Sequence, residues 1–144
     1  IAIPANQIYS CNEDDQISDV VKEMAENTFT HVPVVKNGVF QWLLSESVFV
    51  QWLSEVIEKG EIITEATSVS QLRKYVKRTN DDYMFLSREA DVYQIKEEFE
   101  RVTRERKDRN FKRLGVIFIS NSGKPTEKIL GLITAWDIGK INIL

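Results

Sequence analysis

Cysteine and histidine each occur once in these 144 residues, at Cys11 and His31, and that scarcity removes several kinds of chemistry at once. A lone cysteine cannot close an internal disulfide, which suits a reducing compartment, so the expected location is cytoplasmic. One cysteine and one histidine cannot by themselves build a zinc site, and no metal is expected. As nucleophile and base the two lack an orienting acid and an oxyanion device, and no other catalytic constellation is found. The chain is therefore not expected to be an enzyme. Glycine, at six residues, forms neither a Gly-x-x-x-x-Gly-Lys-Ser/Thr loop nor a Gly-x-Gly-x-x-Gly turn, which argues against P-loop hydrolysis and a dinucleotide fingerprint. No apolar run approaches the roughly 18 residues of a membrane span, and no signal peptide is visible. A basic excess is missing too: 19 Lys and Arg face 22 Asp and Glu, for a net charge of −3 and a pI of about 5.3. General binding to nucleic acid or to a membrane is not expected. Ile1 stands where an initiator methionine would, which raises the expectation of a fragment.

What is present is core material, arranged twice in the same order. Hydrophobic residues make up 42% and aromatic residues 10%, enough to fill an interior without disulfide or metal staples. In the first copy, residues 7–11 read as a short strand. Ile17, Val20, Val21 and Met24 then fall on one face of an amphipathic helix. His31–Val35 is a strand with Pro33 best placed at an edge, Asn37-Gly38 makes a two-residue hairpin turn, and Phe40–Leu44 returns. Phe49, Trp52, Leu53 and Val56 mark a second helix. In the second copy, Tyr83–Leu86 is the short strand and Val92, Ile95, Phe99 and Val102 the helix. Gly115–Ile119 and Ile129–Ile133 form the hairpin around Ser122-Gly123, and a final helix begins near Thr134. The apolar stripe Val69, Leu72, Val76 predicts a connecting helix between the copies.

Matching the copies pairs Ile17 with Val92, His31 with Arg113 and Ser45 with Thr134, at offsets of 75, 82 and 89. Each step is seven residues, so the second copy is expected to have a helix longer by about two turns and a longer hairpin. The first insertion holds a basic run. Between Arg101 and Arg113 seven basic residues face two acids, so the run carries +5 and the rest of the chain −8. Such a run reads either as a solvated helix extension or as a patch facing an anion. A β-α-β-β-α unit leaves an apolar sheet face that it cannot bury alone. The predicted fold is thus α/β of the α+β type: residues 1–60 and 81–144 as two repeats packed sheet to sheet with pseudo-twofold symmetry, and 61–80 as a connecting segment.

Two stretches, His31-Val-Pro-Val-Val35 and Gly131-Leu-Ile-Thr-Ala-Trp-Asp-Ile138, carry a resemblance to the tandem CBS pair, the repeat named after cystathionine β-synthase. The second follows the family signature, a glycine-led strand ending in Ser/Thr-x-x-Asp. The resemblance spans roughly residues 6–142 and implies a regulatory module that binds an adenine nucleotide (AMP, ADP or ATP) in the cleft between the repeats. No cofactor is required on this reading; the nucleotide is a regulatory ligand. Thr134, at a strand-to-helix junction, would offer its hydroxyl and free N–H groups to an anion. Asp137 would accept hydrogen bonds from the ribose hydroxyls, and Gly131 would permit close approach. Arg113 would face phosphate, with Phe85, Leu86, Val116 and Ile117 as walls and backbone partners for the base. Read without the family, Thr134 and Asp137 are equally a capping box that serves only its own helix.

The first copy departs from the signature. Trp42 replaces the glycine and Val48 the aspartate, while Ser45 can still cap a helix and His31 occupies the basic position. This second site is expected to be dead for nucleosides. The resemblance also implies a homodimer formed through helices, with exposed apolar positions near Phe49 and Trp52, and an effector protein or attached domain as the regulated partner. A dimerisation scaffold without a ligand is the alternative. So is another adenosyl compound, such as cyclic di-AMP, NAD or S-adenosylmethionine.

Overall fold

The computed structural model describes residues 3–4, 8–64, 66–78, 81–105 and 113–138. The chain divides into two compact units, Tyr9–Thr79 and Asn80–Leu144 together with Ile1–Ile8.

In the unit Tyr9–Thr79, helix α1 (Ile17–Asn27) buries Ile17, Val20 and Met24, the stripe expected from their spacing. It stops at Thr28, whose φ of 55° lies in the left-handed region. The hairpin follows: β2 (His31–Lys36) and β3 (Val39–Ser45) are antiparallel, joined by Asn37 and Gly38 at φ 54° and 80°. Positive φ at both positions defines the turn whose twist matches a hairpin, which is why Asn-Gly occupies it. Pro33 O accepts from Cys11 N–H at 3.1 Å and Val35 N–H donates to Cys11 O at 2.8 Å. The proline nitrogen therefore falls on the side away from the hairpin ladder, where its missing N–H costs least. The strand expected at residues 7–11 is here a single parallel bridge, Cys11 to Val34, with Gln7 outside the described residues.

Helix α2 (Glu46–Lys59) starts on a Ser45 cap and ends at Gly60, φ 65°. Gly60 N–H and Glu61 N–H return to Ile57 O and Val56 O, the paired bonds of a Schellman ending. Trp52 is only 4% exposed, and Phe49 packs on the same core. The exposed apolar positions expected near these two are Val50 and Ile57 of α2, at 59% and 70%. The connecting helix expected from Val69, Leu72 and Val76 is present, in the tighter form. Val69–Arg78 is a 3-10 helix. Its period of three puts Val69, Leu72 and Tyr75 in the core and leaves Val76 partly buried.

One carboxylate ties α2 to this 3-10 helix. Glu55 meets Lys59 at 2.8 Å and Arg78 at 3.3 Å, and accepts from the Tyr75 hydroxyl. The Lys59 bond, then the Tyr75 bond, hold the Glu55 pKa down at about 2, and burial first, then Glu55, pushes the Tyr75 phenol up to about 12. A lowered carboxylate stabilises the fold above its usual value and loses that contribution as pH falls from about 4.5 to about 2. A raised phenol works the other way and loses its contribution as pH rises from about 10 to about 12. Thermal midpoints recorded across pH are thus expected to flatten in the acid limb for Glu55→Gln, and an unchanged limb would contradict this.

The other unit is a four-stranded sheet ordered β1-β6-β5-β4. Its strands are β1 (Ile3–Pro4), β4 (Asp81–Ser87), β5 (Arg113–Ser120) and β6 (Gly131–Thr134). β4 and β5 are parallel, crossed over by α3 (Val92–Glu105), while β6 runs antiparallel to both of its neighbours. α3 starts at Asp91, whose carboxylate accepts from Gln94 N–H at 2.8 Å, and buries Ile95 and Phe99 against Leu114, Ile117, Ile119 and Ile133. Val102 and the basic run beyond Arg101 have side chains outside the described residues. β1 was not expected: Ile3 pairs with Leu132 and Pro4 with Gly131.

The inserted loop 121–128 is pinned from within. Glu127 Oε1 accepts from Ser122 N–H (3.0 Å), Ser122 Oγ (2.8 Å), Lys124 N–H (3.1 Å) and Ser120 Oγ (3.3 Å). Gly123, φ 86°, lies over the end of β4, where a Cβ would come 3.1 Å from Ser87 N and 3.4 Å from Leu86 C. Backbone cannot give way as a side chain can. Gly123→Ala should therefore cost about 2–3 kcal/mol, against about 1 kcal/mol for Gly60→Ala, whose Cβ would meet nothing within 4 Å. Urea unfolding checks this, and equal losses would refute the contact argument.

Candidate functional site

β6 ends at Thr134 and the short helix α4 (Ala135–Ile138) begins at once. Thr134 N–H and Thr134 Oγ1–H both donate to Asp137 Oδ2 at 3.0 Å, and Asp137 N–H donates to Thr134 Oγ1 at 3.3 Å. This is a reciprocal capping box with aspartate in the usual glutamate place. Both recorded bonds to the carboxylate use Oδ2, and Oδ1 makes none among the described residues. The cap therefore need not open for Asp137 to accept another donor.

Sheet register sorts the other expected site residues onto two faces. Thr134 is opposite Val116, and Leu132 opposite Phe118. Tyr83 and Phe85 on β4 align with the same two β5 residues. Ring contacts confirm the face: Phe85 and Phe118 lie 5.2 Å apart, and Tyr83 lies 6.0 and 6.2 Å from them. Thr134, Val116 and Phe85 are thus brought to one face. Leu86 and Ile117 go to the other, where they pack with Ile95 and Phe99 of α3. Their side chains cannot line a crevice at Thr134, and only their backbone remains available. Gly131 is opposite Ile119, on the α3 side as well, and opposite Pro4 on its other edge. Tyr83 was missed. Its signal was the strand alternation that places it with Phe85.

The register also corrects the alignment of the copies. His31 lies opposite Ser45, as Val116 lies opposite Thr134, and Cys11 lies beside Val34, as Leu86 lies beside Ile119. Both comparisons give an offset of 85 for the strand, so His31 corresponds to Val116. Arg113 comes three residues earlier, opposite Asp81. It still begins β5 at the sheet end where Thr134 leads into α4; its side chain lies outside the described residues.

In the first copy, Ser45 Oγ accepts from Val48 N–H at 3.2 Å, a one-sided cap. Val48 is 1% exposed and Trp42 5%, both in the core, and the Trp42 indole donates to Glu13 Oε1 at 2.9 Å. Arg73 binds the same oxygen at 2.8 Å. His31 Nδ1 meets Thr30 Oγ1 at 2.8 Å. Cys11 is 1% exposed, and burial first, then Asp15, pushes its thiol up to about 12, so it offers no thiolate at neutral pH. No helix among the described residues is long and apolar enough to cross a membrane.

Residues 2–40 match the CBS domain family, and the fold has many solved counterparts. The fold is that of CBS-domain proteins. A CBS domain protein from Streptococcus pneumoniae TIGR4 is 14% identical, with a TM-score of 0.62 over 96% of this chain and 77% of that one. CBSX2, solved in complex with AMP, is 14% identical, with a TM-score of 0.60 over 96% and 90%. A Methanocaldococcus jannaschii protein, proposed as an archaeal homologue of g-AMPK, is 18% identical, with a TM-score of 0.64 over 94% of this chain and 44% of its own. No curated protein matches significantly. At these identities the CBS likeness establishes a fold, and function has to be argued from the residues.

Proposed function

We propose that the chain is a regulatory module that binds an adenine nucleotide beside Thr134 and Asp137 and passes a conformational change to a partner or attached domain. The observation that carries this reading is the Thr134–Asp137 pair, a part-buried carboxylate and hydroxyl at a strand-to-helix junction with Asp137 Oδ1 unused among the described residues. Asp137 Oδ1 would accept from the ribose hydroxyls, and Arg113 would meet phosphate from the start of β5. CBSX2, which shares the fold, is solved in complex with AMP, and that supports the reading. Binding would shift an equilibrium only by its preference for one conformation over another.

The closed capping box favours a second reading, a homodimeric scaffold in which Asp137 serves α4 alone. A thermal-shift panel of AMP, ADP, ATP, cyclic di-AMP, NAD and S-adenosylmethionine, run on the wild type and Asp137→Ala, separates the two. A ligand at 100 times its Kd stabilises by about 2.7 kcal/mol, and the nucleotide reading expects that shift from an adenine nucleotide in the wild type only. No shift with any compound, and a variant weaker only by a cap's worth of about 1 kcal/mol, would favour the scaffold.

A further inference from the structure

The strand that leads into the candidate site is paired along both of its edges. β5 pairs with β6 from Gly131 to Thr134, and on the other edge β1 sets Ile3 against Leu132 and Pro4 against Gly131. Successive antiparallel pairs alternate between one that exchanges two N–H···O bonds and one that exchanges none. Pro4 has no N–H to give, so the bonded pair is Ile3–Leu132. A two-residue strand held by one bonded pair belongs to the low-stability end of a structure, where local opening is easiest. Thr134 stands two residues beyond Leu132, on the same face of β6, and its N–H and hydroxyl both donate to Asp137. The seat of β1 and the cap therefore share one four-residue strand. Ile1–Ile8 belong to this unit, whereas the chain enters the other unit at Tyr9.

We propose that β1 is a strap whose seating on β6 is coupled to occupancy of the Thr134–Asp137 site. A nucleotide held there tightens the strap, and the seated strap tightens the site. The inference rests on the nucleotide reading of that pair and adds a route for its output, because the strap runs directly into Tyr9 and the first copy. Release of β1 leaves β6 paired along one edge only, and β6 is the strand that positions Thr134 against Asp137. Coupling of this kind is reciprocal: the factor by which ligand favours seating equals the factor by which seating favours ligand. A strand that merely covered an edge against stray pairing would leave the two equilibria independent.

Two measurements yield that factor independently. In the wild-type chain, amide exchange followed by NMR at Ile3 and Leu132 should slow about 5-fold or more on saturation with AMP. Calorimetric titration of Ile3→Pro, which removes the last N–H of β1, should show AMP bound more weakly by the same factor. Ile3→Val, which keeps that N–H, should bind AMP as the wild type does. Unchanged exchange at both amides under saturating AMP, or wild-type affinity in a folded Ile3→Pro, overturns the coupling and leaves the nucleotide reading standing. The exchange measurement needs no substitution, so it decides the matter alone if Ile3→Pro fails to fold. If the wild type binds no AMP, the nucleotide reading falls and the coupling falls with it.

Discussion

Trp42→Ala is expected to destabilise the unit Tyr9–Thr79 by about 3–5 kcal/mol, read as a drop in the urea midpoint at constant slope. Trp42 is 5% exposed in the core cluster that also holds Val32, Val34, Leu44 and Val48. The substitution also strips Glu13 of the indole N–H while leaving Arg73 on the same oxygen. Trp42 stands where the signature has glycine, and there it builds core. A loss below about 1 kcal/mol would mean that the pocket collapses freely, against the close packing of protein interiors.

Val48→Asp should be equally damaging, at about 4 kcal/mol or more. It would rewrite the first copy's Ser45-x-x-Val48 as Ser-x-x-Asp, the pattern that forms a working cap in the second. In the second copy the carboxylate is only part-buried and accepts two bonds from Thr134. In the first, position 48 is 1% exposed and belongs to an apolar core cluster with Val20 and Trp52. A carboxylate buried there has a raised pKa, so the penalty is smallest at acid pH, where it is neutral, and grows toward pH 7. Denaturation at two pH values checks both the size and the sign. A stable Val48→Asp protein that gained nucleotide binding would show that the first site is closed by one residue only.

These two residues also show what the sequence could and could not disclose. The repeated order of elements was legible because apolar periodicity and the Asn37-Gly38 turn are local signals: α1, the hairpin and α2 form where their spacing puts them. The Thr134–Asp137 pair was legible for the same reason, as a cap is four residues long. Strand register was not legible. Matching His31 to Arg113 used side-chain type, whereas register is set by backbone pairing across β2, β3, β5 and β6, which places Val116 at that point. The faces of β4 and β5 followed from register as well, so Leu86 and Ile117 were expected beside residues from which the sheet separates them.

The measurement that bears most directly on the central claim is an amide-resolved NMR titration of the wild-type chain with AMP. The account predicts saturable shifts concentrated at Thr134 to Asp137, with a second group at the neighbouring Val116 and Phe85 on the same face. Saturable shifts confined to the first copy, around His31, Ser45 and Val48, or no shifts at millimolar AMP, would contradict it.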